Sequence, residues 1–241
     1  MKVSVNNIVL SCEHASHDIP AEYRYLFKGS RALLISHRGW DPGALECAIR
    51  LADNLHAPLI KGDCSRLLID LNRSLHHQQV FSEFTRALLK TERLALINSI
   101  YHPYHTQLQQ TIARCIAKCG FALHLSIHSF TPVMNGNRRD ADIGLLYDPR
   151  RQYEAALASR LKECLQNLDR NLKIRRNYPY RGIADGATSH YRKFFADKKY
   201  AGLEIEINQR YPLGNDRKSW KQLQNAIIKT LNSAFHDFIV I

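Results

Sequence analysis

The sequence predicts an α/β protein, a three-layer sandwich with a mixed, largely parallel central sheet between helices. Three observations carry that prediction. Apolar runs of strand length recur at 7–12, 121–129, 143–147 and 201–208. Segments with apolar residues three and four apart separate them. Strands that alternate with helices indicate a sheet covered on both faces, and such sheets bind ligands beyond the carboxyl ends of their strands.

The first strand runs directly into the polar turn Glu13-His14-Ala15-Ser16-His17. Residues 21–26 suit a single helical turn, and Leu33-Leu34-Ile35 leads to a loop containing Trp40-Asp41-Pro42. Leu45, Ile49, Ala52 and Leu55 give 44–55 an apolar helical face, with Asp41-Pro42 placed to cap its start and Pro58 beyond its end. Leu59 and Ile60 begin another strand. A further apolar run, Leu67-Leu68-Ile69, reads as a strand end delivering Asp70, Asn72 and Arg73.

Between 82 and 120 the spacing turns helical, with two helices separated near His102-Pro103-Tyr104-His105; Pro103 opens the second and Gly120 stops it. In 121–129, Leu123, Leu125 and Ile127 alternate with His124, Ser126 and His128, and Pro132 forces the strand to end near Ser129. A long amphipathic helix covers 152–168. The loop Asn177-Tyr178-Pro179-Tyr180-Arg181-Gly182 with Asp185-Gly186 is too specific in composition to be a spacer. In 201–208 the alternation puts Glu204 and Glu206 on one face and Leu203, Ile205 and Ile207 on the other. A closing helix spans 220–235.

With 241 residues, 45% of them hydrophobic, the chain can bury one sizeable core, and a single domain over 1–241 is expected. Neither the 23% charged residues nor the sparse Gly and Pro, 11 and 8, suit a disordered or fibrous chain. No apolar run reaches the length of a membrane span and none follows Lys2 as a leader would, so a soluble, cytoplasmic protein is expected. Six cysteines without CxxC spacing suit reduced thiols better than a disulfide frame or a structural zinc knuckle. A net charge of +12 raises nucleic-acid binding, but the basic residues are scattered and no nucleic-acid-binding motif accompanies them. The expected partner is therefore an anionic small molecule.

Four apolar runs end in groups able to bind metal or move protons: His14, Asp41, His128 and the pair Glu204 and Glu206. A lone buried histidine is most simply structural. Two imidazoles and a carboxylate together leave a fourth zinc position open for water, as a catalytic site requires. Glu206, nearer the carboxyl end of its strand, is then the candidate general base. A plain helix cap accounts for Asp41 equally well, with Glu13 and His17 as substitute ligands. Arg66, Asn72 and Arg73 combine planar forks and an amide suited to a carboxylate, and Asp70 would hold one of these arginines in place.

The set Glu13-His14-Ala15-Ser16 with Ile19-Pro20, Ser65-Arg66 with Asp70-Leu71-Asn72-Arg73, Pro103-Tyr104-His105, Ile127-His128-Ser129, Asn177 to Gly182 and Glu206 resembles the N-formylglutamate amidohydrolase family. That family is similar in fold to the zinc-dependent exopeptidases, including carboxypeptidases. The resemblance implies Zn2+ or another divalent ion on His14, Asp41 and His128, and Glu206 as catalytic base. It also implies Arg66, Asn72, Arg73 and Arg181 on the substrate, with His105 as a further polar contact. The implied reaction is hydrolysis of the amide of an N-acyl amino acid, N-formyl-L-glutamate being the type substrate. Rival readings are a peptidase or deacylase for larger substrates and a basic, non-catalytic nucleic-acid-binding protein. The chain departs from the family pattern at Ser126, where many members place an aspartate, and at Glu13, where proline is more usual.

Overall fold

Eight strands and seven α-helices, with short 3-10 turns at Val5–Asn7 and Ala21–Phe27, build the computed structural model, which describes residues 5–236; the remaining termini, with Met1–Ser4 of the stretch read for a leader, lie outside the described residues. In chain order these are β1 (Ile8–Cys12), α1 (Arg31–Leu34), α2 (Ala44–Leu55), β2 (Leu59–Lys61), α3 (Lys90–Leu96), α4 (His102–Cys119), β3 (Ala122–Phe130), β4 (Val133–Met134) and β5 (Asn137–Arg138). They continue with β6 (Ile143–Leu146), α5 (Gln152–Leu168), β7 (Ile174–Arg176), α6 (Ala187–Tyr191), β8 (Tyr200–Asn208) and α7 (Arg217–His236). The main sheet has the order β2-β1-β3-β8-β6-β7, and β4 and β5 form a separate ribbon. Strands β2, β1, β3 and β8 run parallel; β6 is antiparallel to β8 and carries β7 parallel to itself. The expected mixed, largely parallel sheet between helices is what the chain forms.

Period-two alternation distributes the strand residues between two apolar clusters. Leu10, Leu123, Leu125, Leu203 and Ile205 pack under α2, α5 and α7. On the opposite face, Val9, Ile60, Ala122 and Tyr200 meet α3, α4, α6 and the segment around Leu67–Leu71. Burying each large aliphatic side chain contributes about 1.5–3 kcal/mol, and β3 and β8, the longest strands and buried throughout, supply the most such residues to the sheet. The polar row Ser11, His124, Ser126, His128, Glu204 and Glu206 occupies buried positions on these strands. Register sets Ser126 against Glu204 and His128 against Glu206.

Helices α2 and α5 begin and end where the apolar spacing predicts, and Gly120 ends α4 in the left-handed region at φ 78°. Three expectations are corrected. The run at 67–71 is a series of turns, closed by Leu68 N–H to Ser65 O at 2.9 Å and Asp70 N–H to Val80 O at 2.9 Å; its leucines are buried by α4 and not by strand pairing. Helices α3 and α4 are not separated but joined through a wide turn at Ile97–Tyr101, which accommodates the N–H that Pro103 lacks. The residue capping α2 is Gly43, without a side-chain cap, so the Asp41 carboxylate is not used for capping. Strand β7, the β4–β5 ribbon and α6, two to five residues each, were not expected. Among the described residues no helix is long and apolar enough to cross a membrane, and all six cysteines are free.

Candidate active site

Beyond the carboxyl ends of β1, β3 and β8 lies a cavity of about 320 Å³. His14 enters it from the turn after β1, Asp41 from the loop before α2, His128 from β3, and Glu204 and Glu206 from β8. Ligand atoms of His14, Asp41 and His128 lie within 4.8 Å of one another, and all three residues are buried. The Nδ1 atom of His14 stands 3.5 Å from Asp41 Oδ2, and that of His128 stands 2.9 Å from the same oxygen. Donors on a tetrahedral zinc ion are about 3.3 Å apart, so the spacing suits one. His14 Nδ1 is moreover buried without a hydrogen-bond partner among the described residues, which leaves a lone pair free for a metal. The residues present therefore fit a zinc ion.

Each histidine is turned by what holds its other nitrogen. His14 Nε2 donates to Asp70 Oδ1 at 2.7 Å. Asp70 thus serves a histidine where the sequence suggested an arginine, and its Oδ1 also accepts the Asn72 N–H at 2.8 Å. Behind His128, Ser126 Oγ lies 2.9 Å and Glu13 Oε2 3.2 Å from Nε2. Burial, reinforced by the Arg66 charge, holds His14 neutral, pushing it down to about 4 despite Asp70. Burial opposes charge on His128 as well, but the adjacent Glu13 carboxylate, with Glu206 and Glu204, pushes it up to about 9.

Glu206 Oε2 is buried and has no hydrogen-bond partner among the described residues. Burial, with the Glu204 charge, raises this carboxyl to about 7 against the pull of His128. Glu204 is tied instead, accepting from Thr188 Oγ1 at 2.6 Å. The register on β8 brings both to the cavity, Glu204 bound to Thr188 and Glu206 with its buried Oε2 unpartnered among the described residues.

Of the expected substrate residues, Arg66, Asn72, Arg73 and Arg181 all line the cavity. Arg66 is hydrogen-bonded to Asp41 Oδ1 and keeps a buried, unpartnered Nε. Arg73 donates to the Asp185 carbonyl at 2.5 Å, and Asn72 Oδ1 accepts the Ala187 N–H at 2.6 Å, so both also anchor the 185–187 loop. Arg181 is exposed at the mouth, beside Tyr180. His105 is not brought to the cavity: its Nε2 donates to the Leu71 carbonyl at 3.0 Å and its Nδ1 faces the Tyr191 hydroxyl at 2.9 Å. Glu13 lies behind His128 at its Nε2 and does not line the cavity, and His17 packs at a tilt against Trp40 with ring centroids 5.0 Å apart. Sequence reasoning missed Asp185, Gln79, Thr131 and Gln209 in the lining; only Asp185 carried a signal, from its place in the composition-rich loop.

Beside the cavity, main chain packs directly on main chain. A Cβ on Gly144 would sit 1.9 Å from the Tyr178 carbonyl oxygen, and one on Gly182 would sit 2.1 Å from the Tyr147 nitrogen, so the 178–182 loop lies directly on β6. Asn177 Oδ1 accepts the Tyr147 and Gly182 N–H groups at 3.1 and 2.9 Å. Arg192 donates to the Gly182 and Gly202 carbonyls at 2.5 and 2.8 Å and to buried Glu154 at 2.9 Å, tying the loop to β8 and α5.

A family model for N-formylglutamate amidohydrolase matches residues 6–212. The chain belongs to that family. A solved structure of a gene product from Agrobacterium tumefaciens is 30% identical to this family member, with a TM-score of 0.75, covering 96% of this chain and 94% of the other. N-formylglutamate amidohydrolase from Ralstonia eutropha JMP134 is 18% identical, with a TM-score of 0.66 and 95% and 92% of the two chains covered, a likeness of fold. No curated protein matches the chain. Membership of the amidohydrolase family makes the cavity the candidate place for hydrolysis of an amide.

Proposed function

We propose that this protein hydrolyses the amide bond of a small N-acyl amino acid, N-formyl-L-glutamate or a close relative, with zinc or another divalent ion held by His14, Asp41 and His128. The observation that carries the reading is the convergence of those three buried groups on one point of the cavity, with the unpartnered Glu206 carboxylate beside them. An ion bound there supplies Lewis acidity, polarising a carbonyl and acidifying water.

The chain's own residues do the rest. Glu206 takes the proton from the attacking water and passes it to the departing amide nitrogen, so that the C–N bond breaks to give formate and the free amine. A carboxyl raised to about 7 is matched to both transfers near neutral pH. Arg73 and Arg181, with the partly exposed guanidinium of Arg66, hold the substrate's carboxylates and orient the scissile bond. A cavity of about 320 Å³ is at the small end for ligand sites, which favours a small acyl amino acid over the larger substrate of a peptidase.

The test is a zinc-loaded screen over N-formyl, N-acetyl and N-succinyl amino acids, followed by Glu206→Gln on the best substrate. The expected result is an N-formyl dicarboxylic amino acid as best substrate and a fall in kcat of about 10²–10⁴ at unchanged zinc content. Wild-type turnover by Glu206→Gln would remove the base assignment, and a wild-type protein that takes up no stoichiometric divalent ion would remove the metal.

A further inference from the structure

The two departures from the family pattern, Glu13 and Ser126, meet each other in space. Glu13 follows β1 and Ser126 lies inside β3, 113 residues apart, yet Ser126 Oγ donates to Glu13 Oε2 at 2.6 Å. The other oxygen, Oε1, accepts the Tyr104 hydroxyl of α4 at 2.8 Å. Glu13 is a fully buried carboxylate, and such a group persists only when its oxygens are satisfied. Its remaining neighbour is His128 Nε2, at 3.2 Å.

The direction of the hydrogen bonds follows from the hydroxyl. Ser126 spends its proton on the carboxylate, so towards His128 it offers a lone pair, and the 2.9 Å contact is Nε2–H donating to Ser126 Oγ. Asn72 Nδ2, 3.4 Å from Nε2, has no acceptor to offer. The imidazole is thereby held with its proton on Nε2 and its Nδ1 turned to Asp41. His14 shows the same orientation by a shorter route, its Nε2 donating directly to Asp70.

We infer that Glu13 is a positioning residue which, through Ser126, fixes the Nδ1 lone pair of His128 toward the metal position. It rests on the metal reading proposed above. A carboxylate that orients a ligand histidine from behind typically matters 10–100-fold in metal affinity. The position of the carboxylate should count for more than the residue that bears it. Ser126 is close enough to Nε2 for an aspartate there to take over the contact directly.

Zinc affinity, read by competition with a chromophoric chelator on wild type, Glu13→Gln, Ser126→Ala and the double variant Glu13→Gln/Ser126→Asp, tests this, with circular dichroism melts as a check on folding. The expected result is a loss of about 10–100-fold for Glu13→Gln and a comparable loss for Ser126→Ala, with most of the affinity restored in the double variant. Binding by folded Glu13→Gln within about twofold of wild type, or a double variant no better than Glu13→Gln, would overturn the assignment. Should Glu13→Gln fail to fold, Glu13→Asp decides: it keeps the buried charge but draws the carboxylate back from Ser126 Oγ, so a loss of affinity is expected and unchanged affinity would overturn the assignment. A wild type that binds no zinc would remove the metal reading itself, an outcome distinct from a zinc-binding wild type with an unaffected Glu13 variant.

Discussion

His124 and His128 sit four residues apart on the same face of β3, both almost wholly buried, and the protein holds them in opposite charge states. His124 has only hydroxyls against its nitrogens, Ser11 Oγ at 2.7 Å and Tyr200 OH at 2.8 Å, and burial pushes it down to about 4 even with Glu13 pulling the other way. His128 faces Asp41 on one side and Glu13 on the other and rises to about 9 against the same burial. Depth in the sheet therefore does not decide what a histidine is for. The chemistry of its partners does: hydroxyls make His124 a polar plug in the core, whereas carboxylates hold a proton on His128, the group proposed above as a metal ligand.

The sharpest way to break the comparison is to remove each ring in turn. His128→Gln should abolish stoichiometric zinc uptake and turnover in a folded protein, whereas His124→Gln should retain both and lower the melting temperature. Metal content beside melts checks this, and zinc retained by His128→Gln would erase the distinction. The next largest effect is expected at Asp70→Asn, which weakens the acceptor behind His14 and should lower zinc affinity about 10–100-fold without touching the His128 arm. Additivity of its loss with that of Glu13→Gln, measured by the same chelator competition, would show that the two histidines are oriented independently.

The third effect is one of pH, and it is read on stability and not on zinc. His124 and His105 are both pushed down to about 4, so the unfolded chain binds protons from about pH 6.5 downward while the folded chain does not. Stability is complete above about 6.5, falls as pH drops toward 4, and loses up to about 3 kcal/mol for each such histidine. Urea melts at pH 7 and pH 5 should differ in that direction, and His124→Gln should narrow the difference. An unchanged difference would mean that His124 is not held neutral.

Legibility in the sequence followed the range of the interaction. Helices α2 and α5 and strands β3 and β8 carry their periodicity within themselves, so their bounds and their polar faces could be read directly. Strand β7 and α6 are too short to show a period. The turns at 67–71 imitate a strand because burial by α4 selects the same leucines that a sheet would. His14, Asp41, His128 and Glu206 could be nominated as strand-end groups, and the structure brings them to one cavity. Their supports could not be read: Asp70 meets His14 across 56 residues, and Ser126 meets Glu13 across 113. Asp41 looked like a helix cap because the spacing to α2 is right for one, and only the left-handed Gly43 frees its carboxylate.

The contact of the 178–182 loop with β6 also bears on how the cavity can diversify. Where Gly144 and Gly182 let peptide meet peptide, there is no side chain to enlarge, shrink or recharge, and any Cβ would lift the loop off the strand. That contact stands next to Glu206, which Gly144 faces across the sheet. The side chains that can vary the cavity are Tyr180 and Arg181, which the same loop carries to the rim, and Arg66 and Arg73 within. New acyl amino acids would then be reached by exchanging those few side chains over an unaltered reaction centre.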